Sequence, residues 1–144
     1  MNRPVVVAEA RSWIGTPYRH QASAKHFGCD CLGLLRGVWR EVFGAEPAAV
    51  PPYSRDWDEV AKRDVLLSAA ETYLVRRETC AMEEGDVILF RMREEAVAKH
   101  LGIATDHGFV HAYARHGVVE NALSAPWRRR IVGVFAFSEL NDKL

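Results

Sequence analysis

Residues 28–44 read G-C-D-C-L-G-L-L-R-G-V-W-R-E-V-F-G, and the fold follows from how this stretch is parsed. Asp30 has the short acceptor side chain that satisfies free amides in the first turn of a helix, and Gly44 supplies a stop after Phe43. Between them Leu34, Leu35, Val38, Val42 and Phe43 recur at helical spacing, which makes the segment an amphipathic helix. Gly33 and Gly37 stand one turn apart inside it. Each costs about 1 kcal/mol against alanine, which makes sense where another backbone packs closely, and a sheet is expected against that ridge. Cys31 falls directly after the cap, where unpaired N–H groups and the positive end of the helix macrodipole stabilise a thiolate. That is a position for a nucleophile.

Towards the N-terminus, Pro4 suits a first helical turn, and Val6, Ala10, Trp13 and Ile14 share one face of a helix that Gly15 and Pro17 end. Arg19 to Gly28 is polar and irregular. Beyond Gly44, E-P-A-A-V-P-P at 46–52 is a surface connector, and Asp56 caps a third helix from about Trp57 to Val75. After Gly85-Asp86 the pattern turns to strands at Val87 to Met92, His100 to Thr105, Phe109 to Ala114, Val118 to Asn121 and Ile131 to Phe137. Turns fall at Asp106 to Gly108 and at His116-Gly117. Helices followed by an antiparallel meander predict an α+β fold, N-terminal helices packed on an antiparallel β-sheet, in a single domain over residues 1–144.

Composition agrees with one globular unit. A chain of 144 residues with 49% apolar side chains holds a core without disulfides or metal. Lys plus Arg and Asp plus Glu are each 19, so no global field favours nucleic acid or anionic membranes. No apolar run approaches the ~20 residues of a membrane span, which predicts no membrane insertion. The N-terminus lacks a signal-peptide core, and the chain is expected to be synthesised in the cytoplasm without a signal peptide. Three cysteines, Cys29, Cys31 and Cys80, are too few and too odd for a disulfide framework.

The histidines supply the partner for a reactive thiol. A turn of two or four residues between the second and third strands sets His100 opposite Tyr113 and His111 opposite Gly102, on one face of the hairpin. The two rings are then diagonal neighbours, about 7–8 Å apart at the backbone and within side-chain reach. That suits a base and the group that orients it. A three-residue turn would send one ring to the other face. Cys29, Cys31, His100 and His111 could alternatively bind zinc, but C-x-C lacks the usual spacer. Trp127 with Arg128 to Arg130 invites a nucleic-acid reading, and three charges on a neutral chain read better as a solvated turn. His20 and His26 are expected as solvated loop residues, and His107 and His116 as turn residues.

The segments I-G-T-P-Y-R at 14–19, G-C-D-C-L-G-L at 28–34, E-G-D-V-I-L-F at 84–90, K-H-L-G-I-A at 99–104 and G-F-V-H-A at 108–112 resemble, in order and spacing, the NlpC-type cell-wall cysteine peptidases. These are papain-like proteins in miniature. The resemblance implies Cys31 as nucleophile, His100 as general base and then acid, and His111 as the residue that orients His100. It assigns Tyr18 to the oxyanion or substrate site. Asp30 it assigns to the free amine of a stem peptide, beside its sufficient role as a cap. Leu32 stands where the family carries serine, which bears on peptide specificity. The implied substrate is the peptidoglycan stem peptide, commonly at the bond from γ-D-glutamate to a diamino acid, with no cofactor and no metal. The wording of residues 28–41 resembles the branch carried by phage tails and gene transfer agents. From this follow phage-like tail proteins as partners and action at the cell wall or periplasm within a particle. The competing non-enzyme reading is a structural or adaptor component of such a tail, binding through Trp39, Trp57 or Trp127.

Overall fold

A computed structural model of the chain describes residues 3–48, 65–92 and 98–138. Alternating apolar residues after Gly85 pair into strands β4 (Val87–Arg91), β5 (Ala98–Ala104), β6 (Phe109–Tyr113), β7 (Gly117–Asn121) and β8 (Ile131–Phe137), each within two residues of its expected limits. Ahead of them lie α1 (Arg3–Ser12), the two-residue strands β1 (Ser23–Ala24) and β2 (Gly28–Cys29), α2 (Cys31–Phe43), α3 (Val65–Tyr73) and β3 (Leu74–Arg77). A short helix, α4 (Ala125–Arg128), precedes β8. The six-stranded sheet runs β3-β8-β4-β5-β6-β7, all pairs antiparallel, and β1 with β2 forms a separate ribbon. This is the α+β arrangement that the pattern implies. None of the described helices is long and apolar enough to cross a membrane.

Differences from the sequence expectation have local causes. Leu74 and Val75, expected in the third helix, instead open β3, because pairing Leu74 with Phe137 and Val75 with Ala136 gives them a place in the sheet. Asp56 and the first turns of that helix lie outside the described residues. Ile14 is exposed while Val6, Ala10 and Trp13 are buried, since α1 closes at Ser12 and a turn ending at Gly15, with φ of 95°, swings Ile14 outward. The stretch from Arg19 to Gly28, expected as irregular, contains the small β1–β2 ribbon.

α2 covers one face of the sheet, where Leu34 and Val38 join Leu101, Ile103, Val110, Ala112 and Val118 in the main core. The opposite face carries Ile88, Phe90, Ala104 and Phe109, closed over by Trp127, Leu123 and Met82. The glycine ridge, however, does not meet the sheet. A Cβ on Gly33 would overlap the carbonyl oxygen of Ala22, and one on Gly37 would overlap the ring of Trp13. These glycines therefore admit the loop after Tyr18 and the end of α1, and the sheet takes the neighbouring leucine and valine face. An ion pair from Arg3 to the fully buried Asp86, at 2.7 Å, fastens α1 to the start of β4.

The β5–β6 turn decides the face on which the histidines stand. Ile103 pairs with Val110 and Ala104 with Phe109, which leaves a four-residue turn at 105–108. Thr105 closes it: its N–H donates to the Gly108 carbonyl at 2.9 Å, and its Oγ1 accepts from the Gly108 N–H at 2.9 Å. The even turn keeps His100 and His111 on one face, as the parity of the sequence requires.

Gly33→Ala tests the close approach of loop to α2. Alanine gains about 1 kcal/mol of helix propensity, but the overlap with Ala22 falls on backbone that cannot swing aside. A net loss of roughly 1–3 kcal/mol is expected in urea unfolding; an unchanged or raised midpoint would show that the loop yields freely.

Candidate active site

Asp30 builds the entrance to α2. Its Oδ1 accepts the Gly33 N–H at 2.8 Å, the cap bond expected from the sequence, and its Oδ2 accepts the Gln21 N–H at 2.7 Å. One buried carboxylate thus holds both the helix start and the loop that crosses it. His20 approaches the same Oδ2 at 3.8 Å and is half-buried, a closer engagement than a solvated loop residue would have. His26 is exposed, with φ of 72°. Tyr18 bridges to Cys29 in parallel fashion and packs against the main core, which puts it beside the strand leading into Asp30 and Cys31.

Cys31, the first residue of α2, is buried. Its sulfur is met by the backbone amides of Leu101, Leu32 and Cys31 itself. The amide of Leu101 is free for this because the β5–β6 ladder stops early. Ala104 uses its N–H and C=O on the β4 side, bonding Asp86 and Gly85 at 2.8 Å each. By strand alternation the N–H of Leu101 points to the β6 side. There the pairing has already ended at Ile103 and Val110, so the two strands leave a notch. The thiol lies at that notch, on the peptide that joins His100 to Leu101.

His100 and His111 are brought into direct contact. His100 Nε2 and His111 Nδ1 are 2.7 Å apart, a hydrogen bond between the rings, and His111 Nε2 lies 2.6 Å from Oδ1 of Asn121. Gly102 sits between the two histidines on β5, and a Cβ there would press on the Phe109 ring at 2.8 Å and on the His111 Cβ at 3.2 Å. The absent side chain leaves room for the rings to meet. Phe109, Tyr113 and Trp127 enclose His111, with ring centroids at 4.3, 5.3 and 5.2 Å, and Trp127 also flanks His100 at 6.0 Å. The sequence reading missed Asn121. A three-residue turn between Tyr113 and Gly117 sets His111 opposite Val119 and Asn121 opposite Phe109, so strand register held the signal.

Burial governs the charge states. It pushes the Cys31 thiol up to about 12, and the charge of Asp30 acts in the same direction against the three backbone amides. Desolvation thus opposes the thiolate that the helix start favours. Burial likewise brings His100 down to about 3, helped by His111, and His111 down to about 4 despite its bond to Asn121. Burial therefore weighs against charge on the thiol and on each imidazole taken singly. Such a site can accept a proton from the sulfur as bond formation to a substrate develops.

The remaining candidates sort by position. Cys29 is a buried core thiol, also pushed up to about 12 by burial, and Cys80 is exposed; all three cysteines are free. Among the described residues no three His, Cys, Asp or Glu side chains converge as metal ligands would. Arg130 stacks over Trp127 at 5.6 Å, while Arg128 and Arg129 are exposed. His107 is exposed at its turn, and His116 stacks on Tyr113 with centroids 5.2 Å apart.

Residues 15–136 match the model of the NlpC/P60 family. Murein DD-endopeptidase MepS/Murein LD-carboxypeptidase of Escherichia coli (strain K12) is 30% identical over 127 residues, covering 87% of this chain and 57% of that protein. Gamma-DL-glutamyl hydrolase of Bacillus subtilis (strain 168) is 26% identical over 138 residues, covering 94% of this chain and 29% of the other. The chain thus spans little more than half of the first relative and under a third of the second. Among solved structures, the NlpC/p60 domain of the peptidoglycan hydrolase SagA superposes with a TM-score of 0.65 at 20% identity, covering 95% of this chain and 100% of that one. An NlpC/P60 family protein from Bacillus cereus ATCC 10987 gives 0.68 at 16% identity, over 94% of this chain and 40% of that one. These likenesses share the fold described above.

The buried imidazoles generate a pH dependence of stability. Their folded values lie below the ordinary 6.5, so the unfolded chain binds protons that the folded chain refuses. Their contribution is intact above about pH 6.5 and is lost as pH falls towards 4 and then 3. Each group approaches a slope of about 1.4 kcal/mol per pH unit. Urea unfolding between pH 6.5 and 5, above the carboxylate range, should show stability falling with acid and the slope cut by roughly half in His111→Asn. An identical slope in that variant would exclude the buried neutral pair.

Proposed function

The chain belongs to the NlpC/P60 family, and from that premise we propose that it is a cysteine endopeptidase hydrolysing the stem peptides of peptidoglycan. The observation that carries this reading is that His100, hydrogen-bonded to His111 of β6, directly precedes on β5 the residue whose amide meets the sulfur of Cys31. A thiol at a helix start, an imidazole on the residue before the amide that meets the sulfur, and a second group orienting that imidazole supply the parts that acyl transfer requires.

The chemistry runs through named atoms. His100 takes the thiol proton as the Cys31 sulfur attacks the amide carbonyl, so no standing charge separation is needed in the buried site. Backbone N–H groups at the start of α2 receive the developing oxyanion. The tetrahedral adduct collapses, the C–N bond breaks, and the leaving nitrogen takes the proton from His100. Water, deprotonated by the same ring, then cleaves the thioester and restores the thiol. His111 holds His100 in register. Tyr18 shapes the wall beside the thiol, and Asp30, while fixing the helix start, sets negative charge where the free amine of a stem peptide would lie.

The scissile bond in this reading joins γ-D-glutamate to a diamino acid. Of the two relatives' names, gamma-DL-glutamyl hydrolase agrees with that choice, whereas Murein DD-endopeptidase MepS/Murein LD-carboxypeptidase names other linkages and supports murein peptide as the substrate class only. The wording of residues 28–41 supports a place in a phage-like tail or gene transfer agent, with tail proteins as partners and action on the wall from the particle.

Digestion of purified murein, with mass analysis of the fragments, tests the assignment. Cys31→Ala should abolish release of stem fragments, whereas Cys29→Ala and Cys80→Ala should not. His100→Ala should lower turnover at least as far as His111→Ala, by roughly 100-fold or more, and His111→Asn should retain more activity than His111→Ala because an amide still holds the ring. Iodoacetamide should remove the activity and excess chelator leave it intact. Equal activity in Cys31→Ala would sink the peptidase reading and leave a tail adaptor as the better description.

A further inference from the structure

A neutral imidazole carries one N–H, and which nitrogen carries it is set by what the other one meets. At the outer end of the histidine pair, His111 Nε2 faces the side-chain oxygen of Asn121 at 2.6 Å. An amide oxygen only accepts, so the proton of His111 stands on Nε2 and its Nδ1 is bare. That bare Nδ1 is 2.7 Å from His100 Nε2, which must then donate. The remaining nitrogen of His100, Nδ1, is left with its lone pair free. A single carbonyl oxygen at the edge of the sheet thereby determines the basic atom two rings away.

We propose that Asn121 is a positioning residue that sets the tautomer of His111 and, through it, leaves Nδ1 of His100 free to take the thiol proton. The inference rests on the peptidase reading, which nothing in Asn121 itself requires. Were the amide reversed, its Nδ2 would donate to His111 Nε2, His111 would donate from Nδ1, and the proton of His100 would move to Nδ1. The base would then be blocked without any ring leaving its place. Asn121 is well held for this task. It ends β7, paired with Phe109, and its backbone carbonyl approaches Gly108 so closely that a Cβ there would overlap it. Phe109, Tyr113 and Trp127 cover the faces of the fully buried His111 ring, while Asn121 itself stands at the exposed end of β7.

Two substitutions separate the possibilities. The carboxylate in Asn121→Asp can only accept, so it preserves the productive tautomer, whereas Asn121→Leu offers neither donor nor acceptor. The full chain with nitrogen-15-labelled histidine, recorded at about pH 8 where imidazoles are neutral, should show protons on Nε2 of both His100 and His111. The Asp variant should keep this pattern and most of the stem-peptide turnover. The Leu variant should lose the exclusive Nε2 pattern at His111 and drop kcat by roughly tenfold or more, with KM within about twofold. Unaltered nitrogen shifts and unaltered kcat in Asn121→Leu would overturn the proposal, as would a proton on Nδ1 of His111 in the unsubstituted chain. If the unsubstituted chain cleaves no stem peptide, the peptidase reading falls, while the nitrogen shifts still decide what Asn121 does.

Discussion

The carboxylate of Asp30 is the constraint on which the site depends. One oxygen caps α2 at Gly33 and the other holds the Gln21 amide, so the loop and the helix cannot shift independently. A cap bond is ordinarily a matter of about 1 kcal/mol. Here it also fixes the first residue of the helix, and that residue is Cys31. The glycines of α2 belong to the same arrangement: Gly33 admits the Ala22 carbonyl and Gly37 admits Trp13, which lets the loop and α1 close on the helix from the side away from the sheet.

The sheet contributes the other half by being incomplete. Where β5 and β6 cease to pair, Leu101 turns its amide to sulfur instead of to a strand, and the histidines project from the other side of the same gap. Both surfaces of this region are packed, α2 and its core on one and the Trp127 aromatic cluster on the other. That enclosure is what opposes charge on the thiol and the imidazoles.

Much of this was legible in the sequence because the deciding features are periodic or local. Asp30, the helix to Phe43, the strands after Gly85 and the shared face of His100 and His111 follow from cap chemistry and from the parity of a hairpin. What escaped depends on partners distant along the chain. Leu74 and Val75 read as helix until Phe137 and Ala136 are beside them, and the glycine ridge names no partner until Ala22 and Trp13 arrive. Asn121 is one polar residue at a strand end, and only the β6–β7 register relates it to His111. The charge of Cys31 depends on how deeply the helix start is buried, a quantity that local sequence does not carry.

The four-residue turn at 105–108 has a consequence for how this segment can vary. Side chains on a strand alternate with a period of two. An insertion or deletion of one residue in the turn would exchange the inward and outward sets of β6, sending His111 and Phe109 under α2 and Val110 and Ala112 among the aromatics. A change of two residues would restore both sets to their places. Homologous turns should therefore differ in length by even steps, so that natural indels here are governed by arithmetic parity as well as by surface tolerance.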